Sequence, residues 1–308
     1  METSPKHIIL LSIVVPVYNS MEFIRSTLVS LIRIVHNRND IEIIIQDSCS
    51  TDGTSPIVQD FCYRYGFMHH YVEKDKGQSD GINRGVQKAR GEWVTWLCAD
   101  DLLLGSFTSS MNLLQHTTAD VVYGDCIFLL QDGQIVPAIG TEDYRNAVLI
   151  KRRMILQQPG TCIRKGAWDN VRGVDTKLNW TMDYDLFLRL EARKAKFQRV
   201  FLFISVARIR PDAKTSSGST KRLLEHWQVL LRAGLLNASS ASIRPYLLYF
   251  VEYMIKRLES KQKYRGISKL HRLFWLIGKP AEQDQIQTRF KEQKLALLEE
   301  IETIEKGL

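Results

Sequence analysis

An α/β fold, with a mostly parallel, Rossmann-like sheet and helices on both faces, is predicted by three features of the sequence. Strand-like and helix-like segments alternate through the first 101 residues, the order that builds βαβ units. The strand-like segments are unbroken apolar runs rich in Ile and Val, suited to strands buried on both faces. Several of them run straight into polar groups, most sharply where Trp93-Val94-Thr95-Trp96-Leu97 leads to Asp100-Asp101. Ligands of open α/β sheets bind at that carboxyl edge.

Residues 8–17 form the first apolar run, and Pro16-Val17-Tyr18-Asn19 stops it. Ser20 can cap a helix over 21–35, where apolar residues recur at helical spacing. Residues 41–46 are a second buried strand, ending in the polar loop 47–54, after which Pro56 suits the first turn of a helix reaching about residue 65. A short strand at 68–72, a charged loop at 74–79 and a helix over 80–90 closed by Gly91 follow. The strand 93–99 completes the alternation.

Beyond Asp101 the pattern changes. Residues 121–123 and 126–130 read as strands, and Asp132-Gly133 signals a hairpin to 134–138. Helices are expected over 142–153 and 183–194, a strand over 197–208, and a flexible polar loop over 211–219. From residue 220 the chain reads as helical, and 283–306 reads as a solvated amphipathic helix or a coiled-coil partner. The division expected is one α/β domain over 1–219, in halves 8–101 and 102–219, and a helical extension over 220–308.

With 308 residues, 44% of them hydrophobic, the chain can bury a sizeable core, and disorder is not expected. A formal charge of +8 points to acidic partners without choosing among nucleic acid, anionic lipid and phosphorylated substrate. The five cysteines, Cys49, Cys62, Cys98, Cys126 and Cys162, show no zinc spacing. Reduced thiols in a cytosolic setting, acting as core filler, are the expectation. No signal peptide is recognised, and the first apolar run is far shorter than the roughly 20 residues that span a bilayer.

Three strand ends and one loop deliver polar groups to a single edge: Pro16, Tyr18 and Asn19; Asp47; Asp80; and Asp100 with Asp101. No GxGxxG follows the first strand and no GxxxxGK[ST] occurs, so neither a dinucleotide fingerprint nor a P-loop is supported. A nucleotide can still bind where carboxylates read a uracil-like base and ribose. Mg²⁺ or Mn²⁺ needs only one or two protein carboxylates when phosphates complete its shell. Taken singly, Asp52 reads as a turn or cap residue, Asp80 as a cap or a ligand contact, and Asp183 and Asp185 as acids at a helix start. His69-His70 reads as a strand-edge pair, and Trp93, Trp96 and Trp168 as core.

The strings IVVPVYN, QDSCSTDGT, EKDKGQSDGINRG and WVTWLCADD, in that order, resemble the family-2 glycosyltransferases of the GT-A fold, of the bacterial surface-polysaccharide type. Residues 157–164 and 181–189 resemble the family's acceptor-side and base segments, so the resemblance covers roughly 10–216. It implies that 1–219 is a catalytic domain, with 8–101 its nucleotide half and 102–219 its acceptor half, and that Pro16, Tyr18 and Asn19 form the first nucleotide-contacting turn. It implies also that Asp47 reads the base, Asp80 lies near base or ribose, Asp100 touches ribose, Asp101 binds the metal and Asp183 is the general base. Two positions depart from the pattern. Arg210 stands where a His is usual, and an arginine pairs with phosphate but does not ligate a cation. Met182 stands where a second acid is common.

The function implied is inverting transfer of a sugar from a nucleoside-diphosphate donor, of uridine type, to an acceptor hydroxyl, with Mg²⁺ or Mn²⁺ as cofactor. Trp180 and Gln158 are acceptor-side candidates, and a glycan or lipid-linked glycan is the acceptor expected. The alternative is a catalytically silent scaffold of the same fold. Nucleic acid is not an expected partner, since no recognition motif accompanies the positive charge. Residues 244–279 mix aromatic and basic side chains, which suits either an anionic membrane surface on the cytoplasmic side or a helical subdomain packed on the core or on a second copy.

Overall fold

The structure, a computed structural model, describes residues 8–36, 38–138, 156–210, 220–235 and 283–307. The expected helix at 142–153, the loop at 211–219 and the aromatic-basic stretch at 244–279 lie outside the described residues.

The nucleotide half alternates as expected. It runs β1 (Leu11–Val17), α1 (Ile24–Val35), β2 (Ile41–Asp47), α2 (Thr54–Arg64), β3 (Met68–Val72), α3 (Gln78–Lys88) and β4 (Trp93–Trp96). Strands β3, β2, β1 and β4 are neighbours in that order and pair in parallel. The second half contributes β5 (Leu102–Leu103), α4 (Phe107–Leu114), β6 (Val121–Leu130), β7 (Ile135–Pro137), β8 (Cys162–Arg164), α5 (Lys165–Asn170), α6 (Met182–Ala192), β9 (Phe197–Ile209), α7 (Thr220–Arg232) and α8 (Gln283–Lys306). Here the parallel character gives way. Strand β8 runs antiparallel to both β4 and β6, β9 is parallel to β6, and β5 closes the order antiparallel to β9.

Alternate residues of β1 feed two cores. Ile13, Val15 and Val17 join a cluster with α1, α2, α4 and α8, whereas Val14 joins a second cluster with α3, α5, α6 and α7. The period of two along a strand separates these faces, which is why an unbroken apolar run was needed. Gly85 lets α3 lie close over β1, because a Cβ there would run into the Val14 side chain.

Several boundaries differ from the sequence reading, each for a local reason. Helix α1 starts at Ile24, not at residue 21, because the Met21 N–H donates to Asp52 Oδ2 at 2.9 Å and the Ser20 hydroxyl turns to the Tyr18 carbonyl. Asp52 also accepts from Thr54 N and Oγ1, the turn role expected of it. The two strands predicted at 121–130 are a single strand with irregular register around Asp125.

The largest difference concerns residues 283–306. Helix α8 is neither solvated nor a coiled-coil arm: Ile286, Phe290, Leu297, Ile301 and Ile304 are buried in the first core cluster. Burial of each such side chain stabilises by about 1.5–3 kcal/mol before ordering costs. Polar links fasten the same helix along its length, through Arg289 to Asp125, Glu300 to the Gly105 N–H and Glu305 to Arg208. The apolar stripe expected to meet a second copy is therefore spent within the chain. No described helix is long and apolar enough to cross a membrane.

Candidate active site

The parallel register of β1, β2 and β4 brings their carboxyl ends together: Val17 lies opposite Asp47, and Val14 opposite Trp96. Asp47 is fully buried at the end of β2. Its Oδ1 accepts from Ser50 N and Oγ, and its Oδ2 accepts from the Ser55 hydroxyl and faces His70 Nε2 at 3.4 Å. Burial opposes the charge, but the contacts with His70, Ser55 and Ser50 prevail and hold the carboxyl down at about 2. Asp47 thus organises the 48–55 loop. Asn19, at φ 47°, bridges to that loop, its N–H donating to Ser50 Oγ and its Oδ1 accepting from Thr51 N. Tyr18 remains 56% exposed, with Lys74 Nζ 4.8 Å above its ring, and offers a flat face at the edge of the site. Pro16 is buried beside Gly81 of α3.

Asp80 lies in the first turn of α3, accepting from Lys76 N at 3.0 Å and pairing with Arg84. The acids after β4 are unequal. Asp100 is partly open and pairs with Arg210 at 3.1 Å. Asp101 is buried, and its Oδ1 faces the Arg208 N–H at 3.3 Å. Burial, followed by the charge of Asp100, pushes the Asp101 carboxyl well above the usual range, against the pull of Arg208. Cys98 completes the group. Its Sγ and one oxygen each from Asp100 and Asp101 lie within 4.8 Å of one another. Two carboxylates fit a hard divalent cation such as Mg²⁺ or Mn²⁺.

Cys98 is the residue that the sequence reading passed over as filler. Besides its neighbours Asp100 and Asp101, its sulfur accepts from Gln78 Nε2 at 3.2 Å and lies 4.0 Å from Gln158 Oε1. The spacing Cys98-x-Asp100 past a buried strand was the available signal. Cys49 is also no filler, since it is exposed in the 48–55 loop; Cys126 and Cys162 are buried as expected.

Asp183 sits in the first turn of α6, partly open to solvent yet crowded by protein. Burial moves its carboxyl up to about 6, with Glu225 adding to the rise and Arg222 and the backbone N–H of Tyr184 opposing it. The segment leading into α6 is tied to α3, where Ser79 Oγ donates to the Leu178 carbonyl and Asn83 exchanges two hydrogen bonds with Val174. Gln158 is buried, its Nε2 donating to the Trp96 carbonyl at 2.6 Å, and Trp180 is half-buried beside α7. The Cys98 thiol is raised first by burial and then by the charges of Asp101, Asp100 and Asp183. The first turn of α3 links the two regions, Gln78 reaching the Cys98 sulfur and Ser79 reaching Leu178 and Met182 beside Asp183.

Residues 12–157 match the sequence model of Glycosyl transferase family 2. Over that stretch, just under half of the chain, the sequence is similar to the family-2 glycosyl transferases. The fold agrees: 81% of the chain superposes on 73% of Staphylococcus aureus TarS 1–349 in complex with UDP-GlcNAc, at a TM-score of 0.59 and 18% identity. Among curated relatives, a PGL/p-HBAD biosynthesis glycosyltransferase of Mycobacterium bovis is 34% identical over 122 residues, 38% of this chain and 46% of that protein. A GalNAc(5)-diNAcBac-PP-undecaprenol beta-1,3-glucosyltransferase of Campylobacter jejuni is 28% identical over 121 residues, 38% of each chain. The chain spans less than half the length of these relatives. The expected fold is thereby met, and the family match ends at residue 157, before the segment that bears Asp183.

Proposed function

We propose that the protein is an inverting glycosyltransferase. It moves a sugar from a uridine-type nucleoside-diphosphate donor to a hydroxyl of a glycan or lipid-linked glycan in bacterial surface-polysaccharide assembly. The observation that carries this reading is the first turn of α3, where Gln78 reaches Cys98 beside the Asp100–Asp101 pair and Ser79 reaches Leu178 and Met182 beside Asp183, so that a cation-type cluster and a carboxylate moved up to about 6 adjoin one turn. That is the pairing a displacement with inversion needs: charge relief at the leaving group and a proton acceptor at the nucleophile.

In this reading Tyr18, Asn19 and the loop held by Asp47 receive the nucleoside, with Pro16 and Asp80 shaping the same edge and Asp100 near the ribose. Asp101, with Asp100, would hold Mg²⁺ or Mn²⁺, which would neutralise charge on the departing diphosphate. Asp183 takes the proton of the acceptor hydroxyl as that oxygen bonds to the anomeric carbon. The bond from that carbon to the donor phosphate oxygen breaks, and its electron pair leaves on the nucleoside diphosphate. Arg210 is close enough to Asp100 to exchange that carboxylate for a phosphate oxygen. Trp180 and Gln158 border the acceptor side.

A panel of uridine- and guanosine-diphosphate sugars, assayed for turnover with Mn²⁺, with Mg²⁺ and with chelator, tests the reading. Turnover of one donor, lost in Asp183→Asn while binding of that donor persists, is the result expected. No turnover with any donor would leave the scaffold reading standing. Action at the inner face of the cytoplasmic membrane is part of the proposal. Co-sedimentation with anionic vesicles supports it, and absence from both anionic and neutral vesicles removes it.

A further inference from the structure

Helix α7 lies outside the matched family region, yet it reaches the site at three points. Glu225, buried on this helix, gathers a set of donors just ahead of α6. Its Oε2 accepts from Asn179 N at 2.8 Å, and its Oε1 accepts from Trp180 N at 2.6 Å, Thr181 N at 2.7 Å and Thr181 Oγ1 at 3.0 Å. One turn earlier, Arg222 exerts an attractive charge on Asp183. One residue later, His226 stacks on Tyr184 with ring centroids 5.3 Å apart and planes 9° from parallel. Val229 and Leu230 then enter the core cluster that holds Tyr184, Leu186 and Phe187.

A buried carboxylate needs partners, and three consecutive backbone N–H groups plus a hydroxyl form a strong charge-assisted set. Those N–H groups belong to the residues that orient Trp180 and begin the helix carrying Asp183. Helix starts leave such N–H groups without intrahelical acceptors. A side chain from another helix supplies the acceptor here, so the start of α6 is fixed from outside.

We propose that Glu225 is the positioning residue of the proton-transfer site: it fixes the 179–181 backbone and so sets the placement of Asp183 and Trp180. This rests on the reading of Asp183 as the base. It adds that the acceptor side is assembled by α7, a helix separate from the nucleotide half.

The test uses the full chain and the donor chosen by the panel above. In Glu225→Ala, kcat should fall about 10- to 100-fold, the scale of a misplaced reacting group. The dissociation constant for UDP should stay within about twofold, because the nucleotide edge is built by other elements. Hydrogen exchange at the amides of 179–181 should become fast. Glu225→Gln keeps one acceptor oxygen and should fall between wild type and Ala in kcat. It also removes a negative charge near Asp183, while Arg222 remains, so the acid limb of its kcat profile should move to lower pH. That shift reports the charge alone; a fall in kcat at a pH where Asp183 is fully ionised, with UDP affinity kept, is what a cap of purely structural value would not produce. If Asp183→Asn is inactive while both Glu225 variants keep wild-type kcat, pH limb and amide protection, the positioning inference is overturned and the base reading stands. If Asp183→Asn turns over normally, the base reading itself is wrong. Should the Ala variant fail to fold, the Gln variant's kcat at full ionisation of Asp183 and its amide exchange decide.

Discussion

Asp183 is useful as a proton acceptor only when ionised, and its surroundings make ionisation costly. Its carboxyl lies at about 6, against 3.8 ordinarily, so activity should decline as pH falls through about 6, read as the acid limb of kcat. The effect on stability runs the other way. Between the two values the folded state binds the extra proton, so this group favours folding at low pH and loses that contribution as pH rises through about 6. At neutral pH Asp183→Asn should therefore stabilise the fold by about 1–3 kcal/mol while abolishing transfer. Denaturant unfolding checks it, and an unchanged midpoint would place the carboxylate in a more solvated setting. Asp47 behaves oppositely. Held at about 2, it contributes stability above its ordinary value that is lost as pH falls toward 2. Asp47→Asn should cost about 1–3 kcal/mol and loosen the 48–55 loop, visible as faster proteolysis there.

At the scale of elements, the seating of α3 on β1 decides where one edge of the site lies. A Cβ at Gly85 would overlap Val14. Gly85→Ala should accordingly destabilise by about 1–3 kcal/mol through overpacking, despite the better helix propensity of alanine. A measured gain in stability would mean that α3 rides higher over the sheet. The first four strands and three helices were legible in sequence because buried parallel strands read as unbroken apolar runs and each is punctuated by polar loops. Asp47, Asp100, Asp101 and Asp183 were legible as strand-end and helix-start acids. What stayed hidden depends on partners far away in the chain. The start of α1 moved because Asp52 takes the Met21 N–H, and Cys98 looked like filler because its neighbour Gln158 lies 60 residues beyond it. Glu225 carries no local pattern at all, since its partners 179–181 are a loop that binds it only in three dimensions.

For the whole molecule, α8 is the element whose role changed most between sequence and structure. Amphipathic spacing shows that a helix has an apolar face, but not whether solvent, a second copy or its own core meets that face. Here Phe290 packs edge-on against Phe203 at 5.8 Å, and Arg289 reaches the buried Asp125 already paired with Arg199. Phe290→Ala should lower unfolding free energy by about 3–5 kcal/mol, measured by denaturant titration in the full chain. A loss under about 1 kcal/mol would make α8 an accessory.

That docking also sets an order of events on the ribosome. The strands that α8 covers emerge long before it. At about 5–20 residues per second, the interval between the acid pair at 100–101 and the start of α8 at 283 is on the order of ten to forty seconds. Throughout that interval the part of the first core cluster that Ile286, Phe290, Leu297, Ile301 and Ile304 fill lacks its cover, and Arg208, beside Asp101, waits for Glu305. A nascent chain in that condition is a client for chaperones that hold exposed apolar surface, and synthesis stalled before residue 283 should leave product that aggregates rather than a smaller working enzyme.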